Sequence, residues 1–277
     1  MTLDLPQPIL VAHLFPEILS ELLNLLRALP DEDWQKPTAC SGWSVKDVAL
    51  HLLGVEVGNL SRRRDGHRLN HSVNTWEQLV TLINESNQGW VQACRRISHR
   101  LLLDLLEMTG TQIWAYFASL DPYAMGPSVS WIGTKPCKVW VDIAREYTER
   151  WHHQQHIRDA VGKPGLKQPR YFAPVLQAFM LALPRTYQDV LAADGTSLGV
   201  TMIGPAGGSW SITSLGGAWR LYSGLPDQME SHVFLPEDLA WRLFTRGASP
   251  EVARQQLDFE GDESLALKIL EMVTIIA

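Results

Sequence analysis

The sequence predicts an α+β protein in which an N-terminal four-helix bundle is followed by a smaller α+β half. Three observations carry this. As far as Val161, apolar residues recur at the three- and four-residue spacing of one helix face. Beyond Gly165 the pattern gives way to short β-like runs between glycine-rich turns. Between the two, "GKPGLKQP" gathers Gly and Pro as a linker does, which places residues 1–164 in the bundle and 165–277 in the second domain.

The first helix is marked by the stripe Leu14, Ile18, Leu22, Leu25 and Leu26, and "LPDEDW" ends it. The second opens at Ser44, with Asp47 three residues on in the place of the usual capping-box glutamate. Val45, Val48, Leu52 and Val55 then recur on one side. A third helical stretch is expected from about Trp76 to about Leu106, broken by Thr109–Gly110–Thr111, with "QIWAYFASL" as a further short piece. "DPYAMGPSVSWIGTKPC" is loop chemistry, and a fourth helix follows from about Lys138 to Val161, with Gly162 and Pro164 placed to stop it. In the second half, "QPRYFAPVLQAFMLALPRTYQDV" suits one more helix. "TSLGVTMIGPAGGSWSIT" and "GAWRLYSG" suit strands, and "ESHVFLPEDLAWRLFTRG" suits a strand running into a helix at Pro236. "GDESLALKILEMVTIIA" has the pattern of a terminal amphipathic helix.

Composition excludes several classes. A chain of 277 residues with 45% hydrophobic and 19% charged residues can bury a core and is not a disordered one. A formal charge of −6 argues against a nucleic-acid partner, which needs a basic stripe. The one basic cluster, "SRRRDGHR", is short and suits a solvated helix end. No apolar run is long enough to span a membrane. "MTLDLPQPILVAHLFPEIL" lacks a basic segment before an unbroken apolar one, so no secretory signal is expected. Cys40, Cys94 and Cys137 are odd in number, widely spaced and without a C-x-x-C, which argues for a reducing, cytoplasmic setting. None has the spacing of a zinc cluster, although Cys40 falls near a helix start, where a thiolate would be stabilised. Eleven tryptophans fit either a bulky core or an aromatic-lined cleft.

The chemistry concentrates in "EYTERWHHQQHIRDAVG", Glu146 to Gly162. On an ideal helix Val139, Ile143, Tyr147 and Trp151 share the core face. Glu149 and His153 lie four apart, with Cβ atoms about 6 Å from each other, a spacing at which a carboxylate and an imidazole can share one divalent ion. Such a pair is also a common solvated ion pair worth a few tenths of a kcal/mol. His152 points further round and is expected at the surface, and His156 flanks the Glu149–His153 side. His51 lies on or beside the apolar face of the second helix, between Val48 and Leu52. Inward-facing helices that each offer ligands are how bundles build metal sites. His51, Glu149 and His153 would make a three-ligand His₂Glu set, which leaves a fourth position open as in catalytic zinc. His152 and His156 share the same four-residue spacing and form a competing pair.

"GWSVKDVALHLLGVE" and "EYTERWHHQQHIRDAVGKPG" together resemble the DinB-like metalloenzyme superfamily, in particular its mycothiol-dependent maleylpyruvate isomerase branch. The matching positions are Gly42, Trp43, Ser44, Asp47 and His51, then Glu149, His153, Arg158 and Ala160. The resemblance spans the chain: "GPAGGSW", "WRLFTRG" and "GDESLALKIL" are similar to the sterol-carrier-like C-terminal domain of that branch. It favours Glu149/His153 over His152/His156 as ligands. It implies a divalent metal, Zn2+ first and Ni2+ second, and a low-molecular-weight thiol as cosubstrate acting on a small electrophile by isomerisation or S-transfer. It also places Arg246 where the branch has a functional arginine, able to meet an anionic substrate, while Arg158 is expected to tie a carboxylate within the bundle. A monomer or homodimer would suffice. The competing functions are metal-dependent hydrolysis, and a non-catalytic module for hydrophobic ligands whose metal is structural.

Overall fold

The computed structural model describes residues 4–67 and 75–274, and the chain folds as two compact units. One comprises Val11–Asp121 and Glu149–Leu166; the other comprises Met1–Leu10, Pro122–Thr148 and Lys167–Ile276. The α+β class is as the sequence predicts: helices supply the first unit, and a five-stranded sheet with short helices dominates the second.

In the helical unit, α1 (Phe15–Arg27) buries the expected stripe, including Ile18, Leu22 and Leu26. α2 (Val45–Asn59) starts on the expected capping box. The Asp47 N–H donates to Ser44 Oγ at 3.3 Å, and the Ser44 N–H donates to Asp47 Oδ2 at 3.1 Å. Arg95 grips the same carboxylate with two bonds of 2.9 Å. Burial works against the Asp47 carboxylate, but the Arg95 and Ser44 hydrogen bonds outweigh it and hold its pKa below the ordinary value. Asp47→Ala should therefore cost about 1 kcal/mol in denaturant titrations at neutral pH, mostly as the lost hydrogen bond from the Ser44 N–H, since Arg95 is half exposed and its pair is screened. The folded-state pKa is the depressed one. The stabilisation is thus full above the unfolded aspartate value and disappears as pH falls through the folded one.

α2 runs into one π turn, Leu60–Arg64, on which Arg62 and Arg64 are exposed. That fits the solvated helix end expected of the basic cluster, whose last member, Arg68, lies outside the described residues. The expected break at Thr109–Gly110–Thr111 is not there. The third helix, α3 (Trp76–Cys94), ends earlier, and α4 (His99–Ser119) runs unbroken through Gly110 from a cap at Ser98. Gly110 is a contact point instead: a Cβ there would come within 2.7 Å of Leu19 Cδ2 on α1. A glycine that permits close helix packing and one that ends a helix look alike in a sequence.

α5 (Val139–Val161) ends as expected, with Gly162 at a φ of +65°. Its residues in the helical unit join the core beside Leu22, Leu26, Val48 and Leu52 through Ile157 and Val161. Trp151, fully buried, donates its indole N–H to the Leu166 carbonyl at 2.8 Å. Arg158 ties Glu21 (3.2 Å) and Gln154 (3.0 Å), the structural role expected of it. Every residue from Arg150 to Arg158 is buried, so this stretch is not amphipathic.

In the sheet unit the strands are β1 (Ser197–Ile203), β2 (Gly208–Leu215), β3 (Ala218–Ser223), β4 (Ser231–Pro236) and β5 (Asp258–Gly261), in the order β3-β2-β1-β4-β5. β1 and β4 run parallel and the other neighbours antiparallel. The β2–β3 hairpin turns on Gly216–Gly217, both at positive φ (+61° and +76°), the conformation that a two-residue turn of matching twist requires. The single helix expected after the linker is α6 (Pro169–Met180) plus the short α7 (Leu183–Thr186). β4 passes into α8 (Glu237–Phe244) at Pro236, as expected. α9 (Pro250–Arg254) precedes β5, and the terminal helix is only α10 (Glu263–Leu267) and a 3-10 turn to Glu271, with residues 275–277 outside the described set. Phe172, Phe179, Tyr187, Trp241 and Phe244 are fully buried in this unit. With Trp34 and Trp151 buried in the helical unit, much of the tryptophan content goes into core. Among the described residues no helix is long and apolar enough to cross a membrane.

Candidate metal centre

The helical unit brings together all three residues of the predicted set. His51 reaches inward from α2 and is 4% exposed; Glu149 and His153 project from successive turns of α5. Glu149 Oε1 lies 3.5 Å from His51 Nε2 and 3.2 Å from His153 Nε2. The three ligand atoms fall within 4.8 Å of one another. Two nitrogens and an oxygen on a tetrahedral zinc, with bonds of about 2.0–2.1 Å, would stand about 3.3 Å apart. The donor set and its spacing both fit a divalent ion of that kind. Trp43 packs its ring 5.0 Å from that of His51 and is itself held by an indole hydrogen bond of 2.8 Å to Gln88 Oε1, which fixes the imidazole's setting.

The electrostatics favour the ligating protonation states. Burial works against the Glu149 carboxylate, but hydrogen bonds from His153 and His51 outweigh it and hold its pKa well below the ordinary value. Burial, aided by the charge His51 can carry, pushes the His153 imidazole down to about 4 against the pull of Glu149. At neutral pH the carboxylate is an anion and the imidazole a neutral base.

One expectation needs correction. His152 is not at the surface but 2% exposed, its ring 4.0 Å from that of His153, because α5 is covered on every side along this stretch. It nevertheless belongs to neither ligand cluster found among the described residues. Its pairing with His156 therefore gains no support, although their rings lie 5.1 Å apart. Cys40, in turn, does not gain thiolate character from a helix start: burial pushes its thiol up to about 11, with the Glu149 charge adding to the effect and Thr38 opposing it. Yet the thiol lies at the centre, 3.1 Å from His156 Nδ1 and 3.9 Å from His153 Nδ1. Cys40 had no sequence spacing to reveal this, since its partners are more than a hundred residues away. Arg246 belongs to the other unit, exposed just past α8, and holds a φ of +60°.

A helical bundle that turns histidines and a glutamate from different helices onto one buried point has the arrangement from which bundles can build a cation site. The model of the mycothiol maleylpyruvate isomerase N-terminal domain family matches residues 15–158, more than half of the chain, and the chain belongs to that family. The fold is similar to the crystal structure of a histidine-to-alanine mutant of the mycothiol-dependent maleylpyruvate isomerase (TM-score 0.52, 11% identity, covering 90% of this chain and 91% of that one). It is also similar to the crystal structure of the mycothiol-dependent maleylpyruvate isomerase (TM-score 0.50, 13% identity, covering 85% and 88%). No curated protein matches the sequence.

Proposed function

We propose that the chain is a thiol-dependent metalloenzyme, an isomerase or S-transferase for a small electrophile, whose metal is held by His51, Glu149 and His153. The observation that carries this is the convergence of His51 Nε2, His153 Nε2 and Glu149 Oε1 on one point. A bound divalent cation, Zn2+ first and Ni2+ second, would supply Lewis acidity that makes a coordinated thiol a nucleophile at neutral pH. The chain's own residues do the rest. Glu149 contributes a negative charge that partly offsets the ion's. His153, whose imidazole burial holds well below its ordinary pKa, enters as a neutral ligand, so no proton need leave it. The buried walls exclude competing ligands and strengthen every charge interaction in the site.

His156 does not join the His51–Glu149–His153 cluster, which supports a site with a position open to substrate over a closed structural one. Membership of the family supports a low-molecular-weight thiol as cosubstrate. The test is to follow loss of free thiol in the presence of electrophiles, offering several cellular thiols in turn, with and without added metal. Metal-dependent turnover with one of them is expected. Turnover that needs metal but no thiol would point to hydrolysis, and no turnover with any thiol would overturn the reading in favour of ligand binding.

Arg246 is proposed to receive an anionic substrate. A non-glycine residue at positive φ is a local strain that is kept where surroundings or function demand it, and Gly247 stands unused beside it. Arg246→Ala should raise KM for a carboxylate-bearing electrophile by about tenfold, the worth of one charged hydrogen bond, and leave an uncharged electrophile unaffected. Equal effects on both would remove the assignment.

A further inference from the structure

The imidazole of His153 has two nitrogens, and the His₂Glu cluster takes only Nε2. A second cluster meets on the other. Cys40 Sγ lies 3.1 Å from His156 Nδ1 and 3.9 Å from His153 Nδ1, and Cys40, His153 and His156 each offer one ligand atom within 4.8 Å of the others. On a tetrahedral zinc, with bonds of about 2.3 Å to sulfur and 2.0–2.1 Å to nitrogen, a sulfur and a nitrogen stand about 3.6 Å apart. The distances here, 3.1 and 3.9 Å, bracket that value. His153 and His156 are held on a helix covered on every side, three residues apart. Cys40 is fixed by a tight turn: its N–H donates to Thr38 Oγ1 at 3.2 Å, and its carbonyl accepts from the Trp43 N–H at 3.0 Å. All three side chains are thus set by backbone and packing rather than by one another.

We infer that Cys40, His153 and His156 form a second cation position, chemically distinct from the His₂Glu one and selective for a thiophilic ion. A thiolate with two imidazoles is a softer set than two imidazoles with a carboxylate, and it favours Zn2+ or Cu+ over the harder divalent ions. Because His153 serves both sets, they are joined through one ring. Either set alone needs only a neutral imidazole, whereas both together need it as a bridge. The assignment goes beyond the thiol-dependent reaction and stands without it.

The probe is Co2+ added to the metal-free full-length protein, read by the near-ultraviolet thiolate-to-cobalt charge-transfer band. A His51→Gln/Glu149→Gln double variant dismantles the first set and leaves the second intact. It should still take up one equivalent of Co2+ and show the band, and adding Cys40→Ser or His156→Gln should remove it. A folded double variant that binds no cobalt, or binds it without the band, overturns the inference and shows Cys40 to be only a neighbour of the two rings. So does a band that survives Cys40→Ser. Should the double variant fail to fold, wild type and Cys40→Ser at saturating Co2+ decide the matter: a band in the first and not in the second supports the site, and no band in either overturns it. None of these readings depends on turnover, so failure here leaves the proposed reaction untouched, and failure of that reaction leaves this site standing.

Discussion

In a Cys40→Ser background, where only the His₂Glu set remains complete, His51→Ala and His153→Ala are each expected to abolish stoichiometric cation binding. Losing an outer partner of a metal ligand costs roughly 10–100-fold in affinity, and losing one of three direct ligands should exceed that. The control lies on the same helix. His152 is as buried as His153 and its ring is 4.0 Å away, but it belongs to neither ligand cluster. His152→Ala should therefore keep its metal, even if packing around it loosens. Metal content after dialysis, with affinity from competition against a chelator, gives the comparison. Full retention in both His51→Ala and His153→Ala would sink the His₂Glu assignment.

The second large effect concerns stability. Glu56 is 4% exposed on α2, its carboxylate accepts a hydrogen bond from Thr109 Oγ1, and it faces Arg150 Nε at 3.9 Å. The Arg150 guanidinium lies over the rings of Phe15, at 5.4 Å, and Phe117, at 6.0 Å. This is an ion pair with apolar walls. Keeping both members is roughly neutral against a hydrophobic replacement, but removing one takes a buried counter-charge from the other. Glu56→Ala should cost about 3–5 kcal/mol in denaturant titrations. Glu56→Gln keeps an acceptor for Thr109 and should cost less. A Glu56→Gln variant as stable as the wild type would show that the charge on Glu56 contributes nothing, whereas equal losses for the two variants would show that the charge carries the whole effect and the acceptor for Thr109 none of it.

The stretches that carry His51, Glu149 and His153 are legible in the sequence because their signals are local. Glu149 and His153 stand one turn apart, and His51 interrupts an apolar face. Cys40 gave no such signal, since its meeting with His156 is made by the tertiary fold across 116 residues. The burial of His152 is illegible for a different reason. A helix-face argument assumes one side in water, and α5 has none from Arg150 to Arg158. Gly110 shows the same limit: its role depends on Leu19 in another helix. The strand-to-helix passage at Pro236 and the capping box at Ser44 were legible because both are settled within a few residues.

His51 and Glu149 stand 98 residues apart in the chain. An ion held by both is a removable staple, closing a loop that runs through most of the helical unit. Whatever free energy it gains on binding is withheld from the unfolded chain, which has no such pocket. At a free concentration one hundred times its dissociation constant, the ion should add about 2.7 kcal/mol to stability. A chelator should lower the melting temperature and added cation should raise it. Metal supply would then govern how much of this protein persists, quite apart from how fast each molecule turns over.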